Sequence, residues 1–192
     1  YTKNVKLYKI FNILKSEGQE LLLPVFDVIS GDEEKTIVSN GSAVFKDDKM
    51  IGYITSQETH YLLFATDEVE GGILTADISK DGKDDVSLEI AASKTKRSFE
   101  YDGNRTCFSL ELDITVYASE LPADIDIQDE QARKKVEGFA QSKLENHIKA
   151  VIRRVQQDFG VDVFGFGALI YMKDQSLWNV LGDDWNRHFQ NA

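Results

Sequence analysis

Three histidines, one cysteine and 33 acidic side chains are the residues from which a catalytic or metal site could be built. His60, His147 and His188 lie in distant segments, and none has a second histidine at the i, i+4 spacing of a helix. Zinc and non-haem iron sites require such clustered ligands. The pattern therefore disfavours a metal site, and for His147, beside the apolar stripe of its helix, it favours helix packing.

An acidic cluster near the middle of the chain superficially resembles a calcium-binding loop. Asp81, Asp84 and Asp85 have the right charge, but a glycine comes second and position twelve is Ala92 instead of a bidentate glutamate. A solvated turn is the favoured interpretation, and no metal site is predicted.

Carboxylate pairs such as Asp183 with Asp184, or Asp124 with Asp126, could supply a general acid and base. With 33 acidic residues such pairs arise by chance, and nothing distinguishes one of them. The motifs GxSxG, GxxxxGK[ST] and GxGxxG are absent. We therefore predict no enzyme, no catalytic residue and no cofactor, and a cryptic hydrolase ranks below the binding functions considered next.

Composition narrows the class of partner. The 22 basic and 33 acidic residues give a net charge of −11, which repels a phosphate backbone and disfavours nucleic-acid binding. No apolar run approaches the roughly 20 residues of a membrane span.

The lone Cys107 cannot form an intrachain disulfide, and its place in an alternating strand pattern predicts a buried structural thiol.

The segment Gly41–Ile54 predicts a β-hairpin. Two short apolar runs flank the polar turn Lys46–Lys49, and Gly52 inside the second run indicates a bulge or a close backbone approach. Before the hairpin, Val5–Leu14 predicts a helix, and Pro24 makes the next apolar run an extended segment at a sheet edge.

The whole chain is predicted to form two parts, with a boundary near residues 66–72. Residues 1–70 would form a small α/β part that contains the hairpin and a helix at 57–65. Residues 71–192 would form a mainly antiparallel sheet of about four strands, covered on one face by a long amphipathic helix plus a C-terminal helix. The predicted fold class is α+β.

The elements of the second part follow from periodicity. Residues 161–171 are predicted to run as a loop or turn into a further strand or helix, and Gly160 is expected to terminate the long helix. The predicted strands are 74–78, 86–92, 96–101 and 108–116. The predicted helices are 129–159 and a C-terminal helix after Asp174, which places Trp178 and Trp185 in the core.

The chain resembles the C subunit of spore germinant receptors, the GerAC-like or Ger(x)C family of lipoproteins. Four motifs in the same order carry the resemblance: Leu23-Pro24, the hairpin Gly41–Ile54, the long helix leading into Asp162-Val163-Phe164-Gly165-Phe166-Gly167, and the closing Trp178 and Trp185-x-x-x-Phe189. The match corresponds to a middle-to-C-terminal fragment. The family's signal peptide and lipobox are absent, and the family usually continues beyond Asn191-Ala192 into another strand.

The resemblance implies a non-enzymatic subunit that acts with membrane-embedded A and B subunits in a nutrient receptor required for germination. The full-length protein would be lipid-anchored at the outer face of the inner spore membrane, with this fragment soluble. A small-molecule germinant is not expected to bind here directly.

Two functional hypotheses remain open at this point. An interaction or scaffold subunit would dock its partners through an exposed patch, whose candidate residues are Phe45, Lys46, Lys49, Met50, Tyr53, Phe164 and Phe166. Internal packing is the alternative for both segments. A small-ligand domain for an amino acid or sugar would instead need a pocket of a few hundred cubic ångströms lined by polar residues from both parts.

Overall fold

The computed structural model describes residues 3–30, 35–78 and 86–192. The fold class is α+β, as predicted. The helices are α1 (Leu7–Lys15), α2 (Ser56–Ala65), α3 (Glu130–Arg154), α4 (Phe166–Lys173), α5 (Gln175–Leu181) and α6 (Trp185–Gln190), and the strands are β1 (Leu22–Ser30), β2 (Lys35–Lys46), β3 (Lys49–Ile54), β4 (Ile73–Ala76), β5 (Val86–Tyr101) and β6 (Thr106–Glu120).

The first sheet has the antiparallel order β1-β2-β3 and contains the predicted hairpin. Asp47 adopts a positive φ of 54° in the turn, a conformation that aspartate tolerates. The register shifts by one residue next to Gly52, so the predicted bulge is present. The ring of Phe159 also lies where a side chain at this glycine would stand, and Pro24 lies in edge strand β1. These predictions are confirmed.

The second sheet has the order β4-β5-β6 within the described residues. It contains three strands where the sequence predicted about four, because the predicted strands 86–92 and 96–101 are one continuous strand, β5. A bulge between Ile90 and Ala92 changes the side-chain alternation, so Ala92 is exposed instead of sharing the buried face of Ile90. The acidic cluster Asp81, Asp84 and Asp85, for which the sequence predicts a solvated turn, lies outside the described residues.

Strand β6 alternates as predicted, with Phe108, Leu110 and the following even-numbered residues on the inner face. Cys107 has the opposite phase and is exposed. The prediction of a buried thiol was wrong, because the alternation that buries the even-numbered residues turns the odd-numbered ones outward.

Helix α3 forms where the sequence predicted it. The Asp129 side chain accepts a hydrogen bond from the backbone N–H of Ala132 at 2.8 Å and begins the helix. One π-helical turn, Val155–Phe159, follows, and Gly160 ends it in the left-handed conformation with φ of 64°. The helix covers β6 only in part, since an apolar groove of about 660 Å³ runs between them from Phe108 to Ala118.

The C-terminal region contains short helices instead of the single predicted one. The undecided segment 161–171 is a turn followed by α4, and Asp174 accepts a hydrogen bond from the Leu177 N–H to begin α5. A short 3₁₀ turn, Gly182–Asp184, then separates α5 from α6. The indole rings of Trp178 and Trp185 are buried, which confirms their prediction as core residues.

One cluster of buried apolar side chains runs through both predicted parts of the chain. It includes Leu22, Val44, Ile54, Leu62 and Phe64 from the first 70 residues, and Leu88, Val136, Ile148, Val155, Phe164 and Phe189 from the remainder. The division into separate domains at 1–70 and 71–192 stays a prediction.

Within the described ranges, none of the helices combines the length and apolarity that crossing a bilayer requires.

Two of the three histidines pack against the core, and for His147 the sequence predicted it. His60 lies on α2 and is 5% exposed, with its ring edge-to-face against Phe64 at a centroid distance of 5.1 Å. His147 on α3 stacks on Tyr61 at 4.4 Å. Burial lowers the pKa of His60 to about 4, because the charged imidazolium loses hydration.

Gly41 provides a test of the close contact between β2 and the end of β3. It has a φ of +89°, and a Cβ there would meet the carbonyl oxygen of Ile54. Gly103 has a similar φ of +95° but open space around it. Because both substitutions strain the backbone and only one clashes, Gly103→Ala should lower the free energy of unfolding by about 1 kcal/mol and Gly41→Ala by about 3 kcal/mol or more. Denaturant unfolding of both variants measures this, and equal losses would contradict the clash.

His60 should make stability depend on pH. In the unfolded chain the His60 imidazole binds a proton below about pH 6.5, whereas in the native protein it stays neutral down to about pH 4. Acidification therefore stabilises the unfolded state relative to the native state. We expect the wild-type free energy of unfolding to fall by up to about 3 kcal/mol, relative to His60→Gln, between pH 6.5 and 4. Parallel pH profiles of the two proteins would contradict a buried, neutral imidazole.

Candidate functional site

A buried carboxylate organises the turn between α3 and α4. Asp162 has no exposed surface, and its Oδ1 accepts the backbone N–H groups of Phe164 at 3.0 Å and Gly165 at 2.9 Å. Its Oδ2 accepts the backbone N–H of Gly167 at 2.8 Å and the indole Nε1–H of Trp185 at 3.0 Å. One side chain thus joins the turn, the first residues of α4 and helix α6.

Two opposing effects set the pKa of Asp162. Burial is the larger effect and raises the pKa to about 6, while the N–H donors of Gly167, Trp185 and the turn lower it. The native state therefore binds this proton more tightly than the unfolded chain. The contribution of the carboxyl group to stability falls as the pH rises from about 4 to about 6.

Residues 18–21 connect α1 to the turn that Asp162 organises. The Glu20 N–H donates to the Asp162 carbonyl oxygen at 2.7 Å, and the Ala168 N–H donates to the Gly18 carbonyl oxygen at 2.9 Å. Gly18 has a φ of +74°, and a Cβ there would come within 2.5 Å of the Gly167 carbonyl carbon. Only glycine fits this contact between two backbones.

The same segment is also attached to the hairpin. The Phe45 N–H donates to the Leu21 carbonyl oxygen at 3.0 Å, and the Asp47 N–H donates to Glu20 Oε2 at 2.9 Å. The hairpin turn and the Asp162 turn, which the sequence proposed as separate candidates, therefore lie on opposite sides of residues 18–21. We call this segment with its hydrogen bonds the clamp.

A cleft of about 920 Å³ opens beside the clamp. It is lined by the end of α1, the clamp, the hairpin turn and helices α5 and α6, so both predicted parts contribute. Its polar lining residues include Glu17, Gln19, Glu20, Lys46, Asp47, Gln175, Asn179, Asp183, Asp184 and Asn186. Carboxylates outnumber the single lysine among these residues, so the cleft favours cationic or hydroxyl-rich ligands over anions.

The hairpin candidates are accessible to different degrees. Lys46 and Lys49 are exposed and face each other across the strand pair, and Met50 is 57% exposed. Phe45 and Tyr53 are half-buried, and the Tyr53 hydroxyl donates to Asn40. Lys46 and Lys49 are therefore partners on one face of the hairpin tip, whereas Met50 is the partner of Phe45 and alternates to the opposite face.

Phe164 and Phe166 are not available on a surface. They are 1% and 3% exposed and stack on each other at 5.4 Å, with Phe166 also stacked on Phe108 at 4.4 Å. Internal packing, the alternative left open for this segment, is what the structure shows. The reason is that Asp162 folds the glycine-rich turn inward and directs both rings into the core.

The clamp is not predicted by any local sequence pattern. Gly18 follows the predicted helix Val5–Leu14, and a glycine at this position is equally typical of a helix end and of the close backbone contact that the structure shows. Glu17 is not predicted either, and its carboxylate accepts the indole N–H of Trp178 at 2.5 Å. Within residues 3–30, 35–78 and 86–192, no group of three or more His, Cys, Asp or Glu side chains could hold a metal ion.

Comparison with known proteins identifies relatives across most of the chain. A family model described as "Spore germination B3/ GerAC like, C-terminal" matches residues 40–192. Spore germination protein KC of Bacillus subtilis (strain 168) is 21% identical over 206 residues, covering 98% of this chain and 50% of that protein. Spore germination protein YndF of the same strain is 24% identical over 157 residues, covering 80% of this chain and 38% of that protein.

A solved structure has the same fold. The crystal structure of the GerBC protein superposes with a TM-score of 0.81 at 18% identity, and the match covers 99% of this chain and 60% of that one. The chain spans about half the length or less of the curated relatives it matches.

Substitution of Asp162 by asparagine should destabilise the protein strongly. An amide would point its own N–H₂ group at one pair of N–H donors and leave them buried without an acceptor, at a cost of about 2–4 kcal/mol in the free energy of unfolding. Asp174→Asn is the matched control, because an exposed asparagine begins a helix as well as aspartate does. Similar denaturant midpoints for the two variants would show that the Asp162 hydrogen bonds contribute little.

Proposed function

Because this chain belongs to the spore germination B3/GerAC-like family, we propose that it forms part of a germinant-receptor C subunit and acts there as a non-enzymatic interaction subunit. The names of its relatives place them in spore germination. In the full-length protein, a lipid anchor would hold it at the outer face of the inner spore membrane. Its partners would be the membrane-embedded A and B subunits of the receptor.

The observation that carries this proposal is the exposed and rigidly held tip of the hairpin. Lys46 and Lys49 present two positive charges on one face of the tip, Met50 is an exposed apolar side chain on the other face, and the exposed Asp47 and Asp48 lie in the turn between the lysines. The clamp fixes the hairpin through the N–H groups of Phe45 and Asp47. A surface that is ordered before binding loses less conformational entropy on docking, which favours a stable complex.

The hydrogen bonds of the buried Asp162 carboxylate agree with a non-catalytic role. Each oxygen of the Asp162 carboxylate accepts two N–H donors inside the core, so its lone pairs are engaged in holding the turn. A general base needs a lone pair that can reach a substrate proton. Asp162 is therefore assigned a structural role in this proposal.

The second candidate function is binding of a small polar ligand in the cleft. The cleft has the polar lining from both predicted parts that this hypothesis requires, and its volume of about 920 Å³ exceeds that of an amino acid or a monosaccharide. The side chains of Trp178 and Tyr171 add aromatic surface. The excess of carboxylates would suit an amino group or sugar hydroxyls.

Charge reversal at the hairpin tests the interaction function. We expect the double variant Lys46→Glu/Lys49→Glu of the full-length protein to lose at least tenfold in capture of candidate A and B subunits from membranes, because both lysines lie on the proposed docking surface. Lys134→Glu/Lys135→Glu on α3 makes the same change in net charge and should keep wild-type capture. Equal capture by both variants would place the interface elsewhere.

Calorimetric titration separates the two candidate functions. Titrating the 192-residue chain with nutrient amino acids and sugars should give no saturable heat if the interaction function is right. Saturable heat that disappears in Asn179→Leu, a variant at the cleft wall, would instead favour the ligand-binding function. The melting temperature of this variant provides the folding control.

A further inference from the structure

Helix α1 presents an apolar face that nothing in the described residues buries. None of its nine residues is buried. Leu7 is 69% exposed and Phe11 is 56% exposed, with Tyr8 and Leu14 exposed beside them. Leu7, Phe11 and Leu14 recur at the i, i+4, i+7 spacing of one helix face, so they form a continuous stripe.

The charges around this stripe all have one sign. Between residues 3 and 16 every charged side chain is a lysine, whereas the chain as a whole has a net charge of −11. Lys3 is buried and paired with Glu68 at 2.8 Å, which leaves Lys6, Lys9 and Lys15 exposed on or beside the helix. Helix α1 thus exposes lysines and apolar side chains on a protein whose net charge is negative.

We propose that α1 binds the surface of a membrane rich in anionic lipids, with the stripe Leu7-Phe11-Leu14 inserted at headgroup depth. A basic amphipathic helix with leucine and phenylalanine on its apolar face has the chemistry of an interfacial helix. Lysine is depleted in protein–protein interfaces, whereas exposed lysines beside an apolar stripe attract anionic headgroups. The charge pattern therefore favours a lipid surface over a protein partner.

The fold prepares the helix for this contact. An isolated helix of nine residues is marginal in water. Here Ile10 and Ile13 are half-buried against the protein, and the clamp follows the helix directly. The helix is therefore held in place, and the acidic remainder of the chain, which anionic lipid repels, orients it toward the bilayer.

This inference does not depend on the proposed docking of A and B subunits, since it concerns a different surface and a lipid partner. It also adds a membrane contact to the single lipid anchor proposed for the full-length protein. The two can fail separately, because one is measured with pure lipid and the other with membrane proteins.

Vesicle flotation tests the inference directly. The 192-residue chain and the full-length protein prepared without lipid modification are mixed with phosphatidylcholine vesicles or with vesicles containing equal parts of phosphatidylcholine and phosphatidylglycerol. We expect both proteins to bind the anionic vesicles at least tenfold more tightly than the neutral ones, and high salt to weaken this binding.

Four variants assign the binding to α1. Phe11→Asp and the triple variant Lys6→Glu/Lys9→Glu/Lys15→Glu should each lose at least tenfold in affinity for anionic vesicles. Phe11→Leu should keep wild-type affinity, and so should Tyr117→Asp, which places the same charge on an exposed residue of β6. All four should keep the wild-type melting temperature within a few degrees, because none of these residues is buried.

Three results would overturn the inference. They are the absence of binding to anionic vesicles, binding that Phe11→Asp leaves unchanged, and binding by the 192-residue chain that the full-length protein does not share. The last result would show that another segment of the longer protein covers the stripe.

Discussion

The buried carboxylate of Asp162 is the interaction on which the arrangement of this protein depends. An ion without hydration is costly in a protein interior unless hydrogen bonds replace the lost water. The N–H groups of Phe164, Gly165, Gly167 and Trp185 supply that replacement. Since these donors come from a turn and two helices, satisfying one carboxylate fixes the relative positions of all three.

The turn around Asp162 also joins distant parts of the chain. The Asp162 carbonyl oxygen accepts the N–H of Glu20 from the clamp, and the Phe164 carbonyl oxygen accepts a guanidinium N–H of Arg97 on β5 at 2.7 Å. The clamp in turn binds the hairpin. The hairpin tip that we propose as a docking surface is therefore positioned by contacts that originate in the C-terminal half of the chain.

The proposed functions use surfaces with different chemistry. The hairpin tip offers two lysines and a methionine, the cleft offers mainly carboxylates and amides, and α1 offers an apolar stripe with lysines. In an acidic protein, the exposed lysines beside the stripe of α1 are a site of attraction for anionic partners, whereas the two lysines of the hairpin tip are balanced by Asp47 and Asp48 in the turn between them. The clamp lies between them, so it couples the positions of α1 and the hairpin.

The sequence by itself determined the fold class, the hairpin with its bulge, a long helical segment that begins after Asp129 and ends at Gly160, and the burial of both tryptophans, because each follows from local periodicity, glycine positions or capping residues. It did not determine that β5 is continuous, that Phe164 and Phe166 are buried, or that residues 18–21 join the hairpin to the Asp162 turn. These features depend on hydrogen bonds and packing between residues far apart in the chain. A local pattern does not encode which distant N–H group will satisfy a buried carboxylate, so only the tertiary structure decided them.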